Sequence, residues 1–329
     1  MGTAEAVLGC LERHKGSFIS GQEIADELSV SRNSVWHAIK DLQGKGYAIE
    51  AVTKRGYCLS SNCNILSAAC IKRHLKADVT LLEYHDTIDS TNNRARQLAT
   101  QGARHATLVI AGCQTAGRGR QGRPFHSPAN SGIYFSLVLR PAWELEDVSL
   151  VTSFSAVCVA ECLEEILGVK AQIKWVNDIF ANRHKVCGIL TEASVLPESG
   201  SIDYVVVGIG INVAEPAGGW PPELKDVAYA PLAAGQADVE DRRARLAAHI
   251  ASRLINECET IPHRPHLDAY RSRSLLDGKT VTVYHGREAY EALVVGINDD
   301  LTLRVRLGSG EERDLVCGEV HIPSSQLKL

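Results

Sequence analysis

No stretch of the 329-residue sequence reaches the roughly 18 consecutive apolar residues of a membrane span. The N-terminus, MGTAEAVLGC, carries Glu5 where a secretory signal would carry basic residues. Both absences point to a cytoplasmic protein with no membrane partner. Met1-Gly2 is followed by Ala6 rather than Ser or Thr, which excludes N-myristoylation. The ten cysteines include no CxxC pair and have no secretory context, so neither a disulfide framework nor a zinc ribbon is expected. Cys158 and Cys162, four apart on one helix face, read as small buried thiols. Charge of one sign is missing as well: 35 Lys+Arg against 39 Asp+Glu leaves −4 and no bulk attraction to nucleic acid or a membrane surface. There is no internal repeat and no low-complexity tract.

At 45% hydrophobic and 22% charged, the chain has the composition of a soluble globular protein of two or three domains. Residues 1–62 read as helix, helix, turn, helix and a small basic hairpin. Ser20 lies three residues before Glu23, a capping-box spacing, and Val35, Ile39 and Leu42 form the inward stripe of the third helix, residues 32–43. Two short strands then flank Thr53-Lys54-Arg55-Gly56. This order is the winged helix-turn-helix plan. It would present Arg32, Asn33, Ser34, His37 and Lys40 to a major groove, and Lys54 and Arg55 to phosphates. The segment's seven basic and seven acidic residues balance, so placement alone favours DNA over a protein-interaction role. Trp36 has no role in this reading.

From 66 to 275 strands alternate with helices. Apolar β-type runs occupy 81–85, 108–114, 133–139, 172–175, 188–193 and 204–213, and helical spacing occupies 91–101, 150–167 and 241–259. Residues 276–329 hold short strands separated by Gly286-Arg287, Asn298-Asp299-Asp300 and Gly308-Ser309-Gly310, the pattern of a small β barrel. The expected fold class is α+β, with an N-terminal winged helix, a central mixed domain and a C-terminal barrel.

Four segments carry chemistry. In Gly117-Arg118-Gly119-Arg120-Gln121-Gly122-Arg123, preceded by Gln114, glycines let backbone approach an anion while guanidiniums supply bidentate donors. No Gly-Lys-Ser/Thr closes the loop, so it is no P-loop, and a single copy between apolar strands is no RGG-type RNA tract. Lys174-Trp175-Val176-Asn177-Asp178 leads by a hairpin to Lys185 and Gly188. Asp178 suits Mg²⁺ or a ribose, and Lys185 suits a reacting phosphate. Gly208-Ile209-Gly210-Ile211-Asn212 ends a strand where glycines allow close ligand approach and Asn212 can read an adenine edge. Asp89-Ser90-Thr91-Asn92 is a polar turn in which an N-cap accounts for one hydroxyl but not for both.

In order and spacing these segments resemble the bifunctional biotin protein ligase and biotin-operon repressor family, and the resemblance covers nearly the whole chain. It implies a class II synthetase-like ligase core and an SH3-like C-terminal barrel. It also implies a two-step reaction: biotin and Mg·ATP give biotinyl-5′-AMP, and a lysine of a biotin carboxyl carrier protein then takes the biotin. By position, the resemblance assigns Ser90, Thr91, Asn92, Gln114, Gly117, Gly188, Gly208 and Gly210 to biotin. It puts Arg118 and Lys185 on the biotin carboxylate and α-phosphate, Arg120 and Arg123 on the loop and nucleotide, Phe125, Asn177 and Asn212 on adenine, and Asp178 near Mg²⁺. Operator DNA as partner and a homodimer formed by the adenylate-bound protein are further implications. Val176 stands where the family has Pro, and Phe125, preceded by Pro124, where it has Trp. Two rival readings are a ligand-sensing transcription factor without ligase activity and a ligase whose winged helix no longer represses. Against the former stands the presence together of Arg118, Arg120, Asp178 and Lys185, and the distribution of charge locates the site. The 54 residues between Asp89 and Glu144 hold seven arginines and no acid, a local excess suited to ATP and a carboxylate.

Overall fold

The computed structural model describes residues 2–321 apart from 197, 199, 238, 286, 287, 317 and 318. Three helices, α1 (Thr3–Arg13), α2 (Gly21–Leu28) and α3 (Arg32–Gly44), are followed by the hairpin β1 (Ile49–Val52) and β2 (Gly56–Leu59). The capping box forms: Ser20 Oγ accepts from the Glu23 amide, and the Glu23 carboxylate accepts from the Ser20 amide. Val7, Leu11, Ile24, Val35, Ile39 and Leu59 build a core separate from the rest of the molecule. Gly56 is obligatory, because its φ is +99° and a Cβ there would lie 2.1 Å from the Ile19 carbonyl oxygen. That contact lets Ile19 pair with Tyr57 and dock the hairpin on the helices.

After α4 (Ala68–His74) come β3 (Leu81–His85), α5 (Thr91–Thr100), β4 (Thr107–Ala111), β5 (Gly132–Leu139) and the long α6 (Val148–Leu167). β6 (Gln172–Lys174), β7 (Asp178–Ala181), β8 (His184–Val195), β9 (Ile202–Asn212), α7 (Arg242–Asn256) and α8 (Leu267–Ser272) follow. The strands form one sheet in the order β3-β4-β5-β9-β8-β7-β6, parallel only between β3 and β4. Side-chain alternation divides its faces. Phe135, Leu137, Val207, Ile209 and Ile211 face α6 and α7 in the main core, whereas Val138 and Val206 face α5 with Ala95 and Leu98. Gly208 and Gly210 therefore lie on the α5 face, at the sheet's centre.

Two strand readings need correction. β8 starts at His184, not 188, and Asp178 opens the additional strand β7 instead of ending a loop. The four residues Asp178–Ala181 lie between Asn177 and Asn182-Arg183, too short a run to register as a strand before the pairing with β8 is known. The short helices α4 and α8 were also unread. The C-terminal strands β10 (Thr280–His285), β11 (Glu288–Ile297), β12 (Leu303–Leu307), β13 (Glu312–Leu315) and β14 (Glu319–His321) form an antiparallel sheet in the order β13-β12-β11-β10-β14. Among the described residues no ladder joins β13 to β14 to close it, and the expected turn at 286–287 lies outside those residues. Trp175 Nε1 donates to the Leu301 carbonyl at 2.9 Å, fixing this sheet to the turn between β6 and β7. No helix among the described residues is long and apolar enough to cross a membrane. Cys158 and Cys162 are buried free thiols.

Two buried polar features matter for stability. Where α1, α4 and the start of α7 meet, Asp241 receives Lys15 Nζ at 3.0 Å, the Arg73 guanidinium, and His74 Nε2 at 3.4 Å. Cys70, His74 and Asp241 are close enough to hold a metal ion, but Lys15 and Arg73 already occupy the carboxylate. Inside the main core, His266 Nε2 lies 2.7 Å from Ser153 Oγ, and burial pushes the imidazole pKa down from 6.5 to about 4. A base whose folded pKa is lowered stabilises the fold above its unfolded pKa and loses that contribution as pH falls. Acidification from pH 7 to 5 is therefore expected to cost about 2 kcal/mol through this group. Urea unfolding at both pH values should show a smaller pH dependence in His266→Gln than in the parent protein; equal dependence would exclude His266 as the cause.

Candidate active site

The N-terminus of α5, the loop after β4 and the ends of β7, β8 and β9 enclose a cavity of about 610 Å³ on the α5 face of the sheet. All the sequence-predicted ligand residues except Gly117 line it. Gly117 lies behind the loop. Its carbonyl accepts from the Phe125 amide at 2.8 Å, and a Cβ would meet the Phe125 carbonyl oxygen at 2.4 Å, so this glycine pinches the arginine loop.

One wall is a closed polar network. Ser90 is the N-cap of α5, accepting from the Asn93 amide, so its hydroxyl is the one that capping explains. Gln114 Oε1 accepts from the Thr91 amide at 2.8 Å and its hydroxyl at 3.1 Å, while Gln114 Nε2 donates to Ser127 Oγ at 2.9 Å. Ser136 Oγ, on β5, lies 2.6 Å from Asn92 Oδ1 and 2.8 Å from Thr91 Oγ1. Ser90, Thr91 and Asn92 are all buried. A rigid wall of amide and hydroxyl groups suits a small polar ring presenting both donors and acceptors.

The floor is made of glycines. A Cβ at Gly208 would lie 1.8 Å from Asn92 Oδ1, and one at Gly210 2.6 Å from the Phe125 ring. Phe125 also lies 3.2 Å from the equivalent point at Gly188. The close approach read from the sequence is thus made here by protein side chains, with the Phe125 ring above Gly188 and Gly210.

The cations stand opposite. Lys185 Nζ lies 2.7 Å from Asp178 Oδ1 across the β7–β8 hairpin. Its backbone is fixed from outside the sheet, since the Lys185 amide donates to the Val227 carbonyl and the Tyr229 amide to the Lys185 carbonyl, both at 2.8 Å. Arg120 Nη1 donates to Asn177 Oδ1 at 3.0 Å, and Asn177 Nδ2 donates to the Ile189 carbonyl at 2.9 Å. Each contact uses one of the two hydrogen-bonding positions of its atom, so Asn177 keeps one acceptor and one donor position beyond them. Asn212, buried at the end of β9, lies with Nδ2 3.5 Å from the Lys185 carbonyl. Arg123 lines the cavity from an exposed position on the loop. Sequence reasoning missed Glu192, which pairs with Arg118 at 3.3 Å, and also Ser136, Ser127 and the cavity-lining Trp220 and Asp226. Alternation along β8, within residues 188–193 alone, places Glu192 on the same face as Gly188.

The winged-helix candidates are outside this site. Arg32, Asn33, Trp36, His37 and Lys40 are exposed on α3, and Ser34 is half-buried with its Oγ 2.9 Å from Ser31 Oγ in the helix cap. Lys40 stands over the Trp36 ring at 5.9 Å. Lys54 is exposed at the hairpin tip, while the Arg55 guanidinium stacks on Phe18 at 3.9 Å.

Comparison with known proteins gives matches to both regions. Residues 84–212 match the biotin/lipoate A/B protein ligase family, and residues 3–58 match an HTH domain. The chain is 30% identical over 228 residues to a biotin–[acetyl-CoA-carboxylase] ligase of Paracoccus denitrificans, covering 68% of this chain and 93% of that one. It is 44% identical over 213 residues to the bifunctional ligase/repressor BirA of Bacillus subtilis, covering 64% of this chain. The match spans 65% of the Bacillus protein's length, just under two thirds. Among solved structures, a biotin protein ligase from Aquifex aeolicus in complex with biotin and ATP superposes with a TM-score of 0.59 at 28% identity, over 74% of this chain and 99% of that one.

Proposed function

We propose, from the premise that this chain belongs to the biotin protein ligase family, that it is an ATP-dependent biotin protein ligase and a biotin-responsive repressor. The observation that carries the ligase reading is the single cavity that sets the Ser90-Thr91-Asn92 wall against Arg118, Arg120 and Lys185. In the first step a biotin carboxylate oxygen attacks the α-phosphorus of Mg·ATP, the bond to the β-phosphate oxygen breaks, and pyrophosphate leaves. In the second, the neutral amine of a carrier-domain lysine attacks the acyl carbon of the mixed anhydride. The C–O bond breaks, AMP leaves, and the amine proton passes to solvent.

Neither step needs a covalent nucleophile from the protein. Thr91, Asn92 and Gln114 would hold the ureido ring, and Arg118 and Lys185 would draw the carboxylate and α-phosphate together as charge accumulates between them. Arg120 and Arg123 would order the loop over the nucleotide, with Phe125, Asn177 and Asn212 towards adenine. Mg²⁺ would arrive on ATP, and Asp178, now paired with Lys185, is the carboxylate that would help hold it there. We assign residues 1–62 to the winged helix, 66–275 to the catalytic unit and 276–329 to an SH3-like barrel. The exposed α3 surface supports operator recognition, with two winged helices brought to two half-sites by a homodimer. A protein of this activity would work in the cytoplasm.

Biotin-dependent pyrophosphate–ATP exchange tests the ligase reading; exchange with lipoate or octanoate and not with biotin would assign the chain to lipoyl ligation. DNA footprinting upstream of biotin-synthesis genes, with biotin and ATP present, tests repression. Gly208→Ala is expected to raise KM for biotin about ten- to a hundredfold, since the new Cβ displaces Asn92 and leaves its hydrogen-bond partners unmatched. Initial-rate measurements at varied biotin would show it, and an unchanged KM would exclude Asn92 from biotin binding.

A further inference from the structure

We infer that Glu192 is the positioning residue that presents Arg118 to the reacting anions. The inference rests on the ligase reading above and adds a residue to it. Along β8, Thr191 turns to α6, where its Oγ1 is 2.7 Å from Thr152 Oγ1. Glu192 turns to the other face, towards α5. There Oε2 accepts from Asn92 Nδ2 at 3.0 Å, and Oε1 lies 3.3 Å from Arg118 Nη1 and 3.8 Å from Arg96 Nη1.

The geometry at Arg118 gives this carboxylate its role. The second protein contact of the guanidinium, Asn93 Oδ1 at 3.0 Å, is also made through Nη1. A fork-to-fork pair with Glu192 would have consumed the donors along one whole edge. Holding one nitrogen between two acceptors fixes the plane and leaves the Nε–Nη2 edge, among the described residues, for a carboxylate or phosphate oxygen pair. A guanidinium aimed in advance loses less freedom when the ligand arrives and need not reorganise as charge develops. Because the same carboxylate holds Asn92, the wall that grips the ring and the arginine loop share one reference point. Among the described residues Arg120 meets the amide of Asn177 and no carboxylate, and Lys185 pairs with Asp178. Glu192 thus ties Arg118, and at a longer distance Arg96, to Asn92.

The test is biotin-dependent pyrophosphate exchange by the full chain, with kcat and KM for biotin measured for Glu192→Gln, Glu192→Ala and a cycle with Arg118→Ala. Gln keeps an oxygen for Asn92 and removes the charge facing Arg118. Its kcat is expected to fall about three- to tenfold, the worth of one half-buried ion pair, while KM stays within about twofold. Ala frees Asn92 too and should raise KM as well. In the Arg118→Ala background, Glu192→Gln should have no further effect on kcat, because nothing is left to position. Parental kcat in Glu192→Gln, or the same proportional loss in both backgrounds, would overturn the positioning role. An unmutated protein with no biotin-dependent exchange would overturn the ligase reading and this inference with it.

Discussion

Lys185→Ala is expected to lower the rate of biotin-dependent pyrophosphate exchange about 10²- to 10³-fold without unfolding the protein. The backbone of Lys185 is held through its amide and carbonyl by residues 227 and 229, so truncation leaves the strand in place and removes the side chain and its charge. That charge stands 2.7 Å from Asp178 at the cavity's edge. Once it is gone, Asp178 faces an incoming phosphate with no counter-charge, and a positive contribution to the transition state is replaced by repulsion. The effect should fall mainly on kcat, with KM for biotin changed much less, because the ring wall of Thr91, Asn92 and Gln114 is untouched. Initial rates at saturating biotin and ATP check this. A loss confined to KM would make Lys185 a simple binding residue.

Asp241→Asn is expected to destabilise the chain by about 3–5 kcal/mol, the cost of removing one partner from a buried ionic cluster. Lys15 is 6% exposed and Asp241 9%, so water cannot replace the lost carboxylate. Burial by itself would raise the Asp241 pKa. Hydrogen bonds from His74 and Lys15, and the charges of Lys15 and Arg73, outweigh it and hold the carboxyl well below the usual carboxylate range. The sign follows: this stabilisation is complete above the ordinary carboxylate pKa and is lost as pH falls towards the lowered folded value. Glu12, buried beside Arg73 with its Oε2 3.3 Å from Arg73 Nε, is pushed upward by burial and does not share that behaviour. Urea midpoints at neutral pH should fall sharply in Asp241→Asn, and barely at all in Asp314→Asn, which removes the exposed pair with Arg304. Equal midpoints for parent and Asp241→Asn would show that the cluster contributes nothing to stability.

Both predictions bear on what a sequence can and cannot reveal. The winged helix was legible because most of its determinants are local: the Ser20–Glu23 capping box and the Val35–Ile39–Leu42 stripe act within a few residues of themselves, whereas the need for glycine at 56 comes from Ile19, distant in sequence. The cavity cations were legible for a related reason, since their glycine and arginine spacing is dense. Glu192 was not, because its partners come from other elements, Asn92 from 100 positions away and Arg118 from the loop after β4. Asp241 and Lys15 are separated by 226 positions, and no local pattern pairs them. The acid-free stretch that marked the site from composition is partly neutralised in three dimensions by acids from elsewhere: Arg94 by Glu83, Arg118 by Glu192 and Arg140 by Asp203. Of its seven arginines, Arg118, Arg120 and Arg123 line the cavity. Composition picked out the segment whose loop lines the cavity but overstated its field.

The most direct test of the central claim is transfer itself. The full chain, incubated with biotin, Mg·ATP and a biotin carboxyl carrier domain, should place one biotin on one carrier lysine and release one AMP and one pyrophosphate per biotin, measured by intact-mass spectrometry and nucleotide chromatography. A carrier that stays unmodified while ATP and biotin are untouched, or a carrier modified without AMP release, would contradict it.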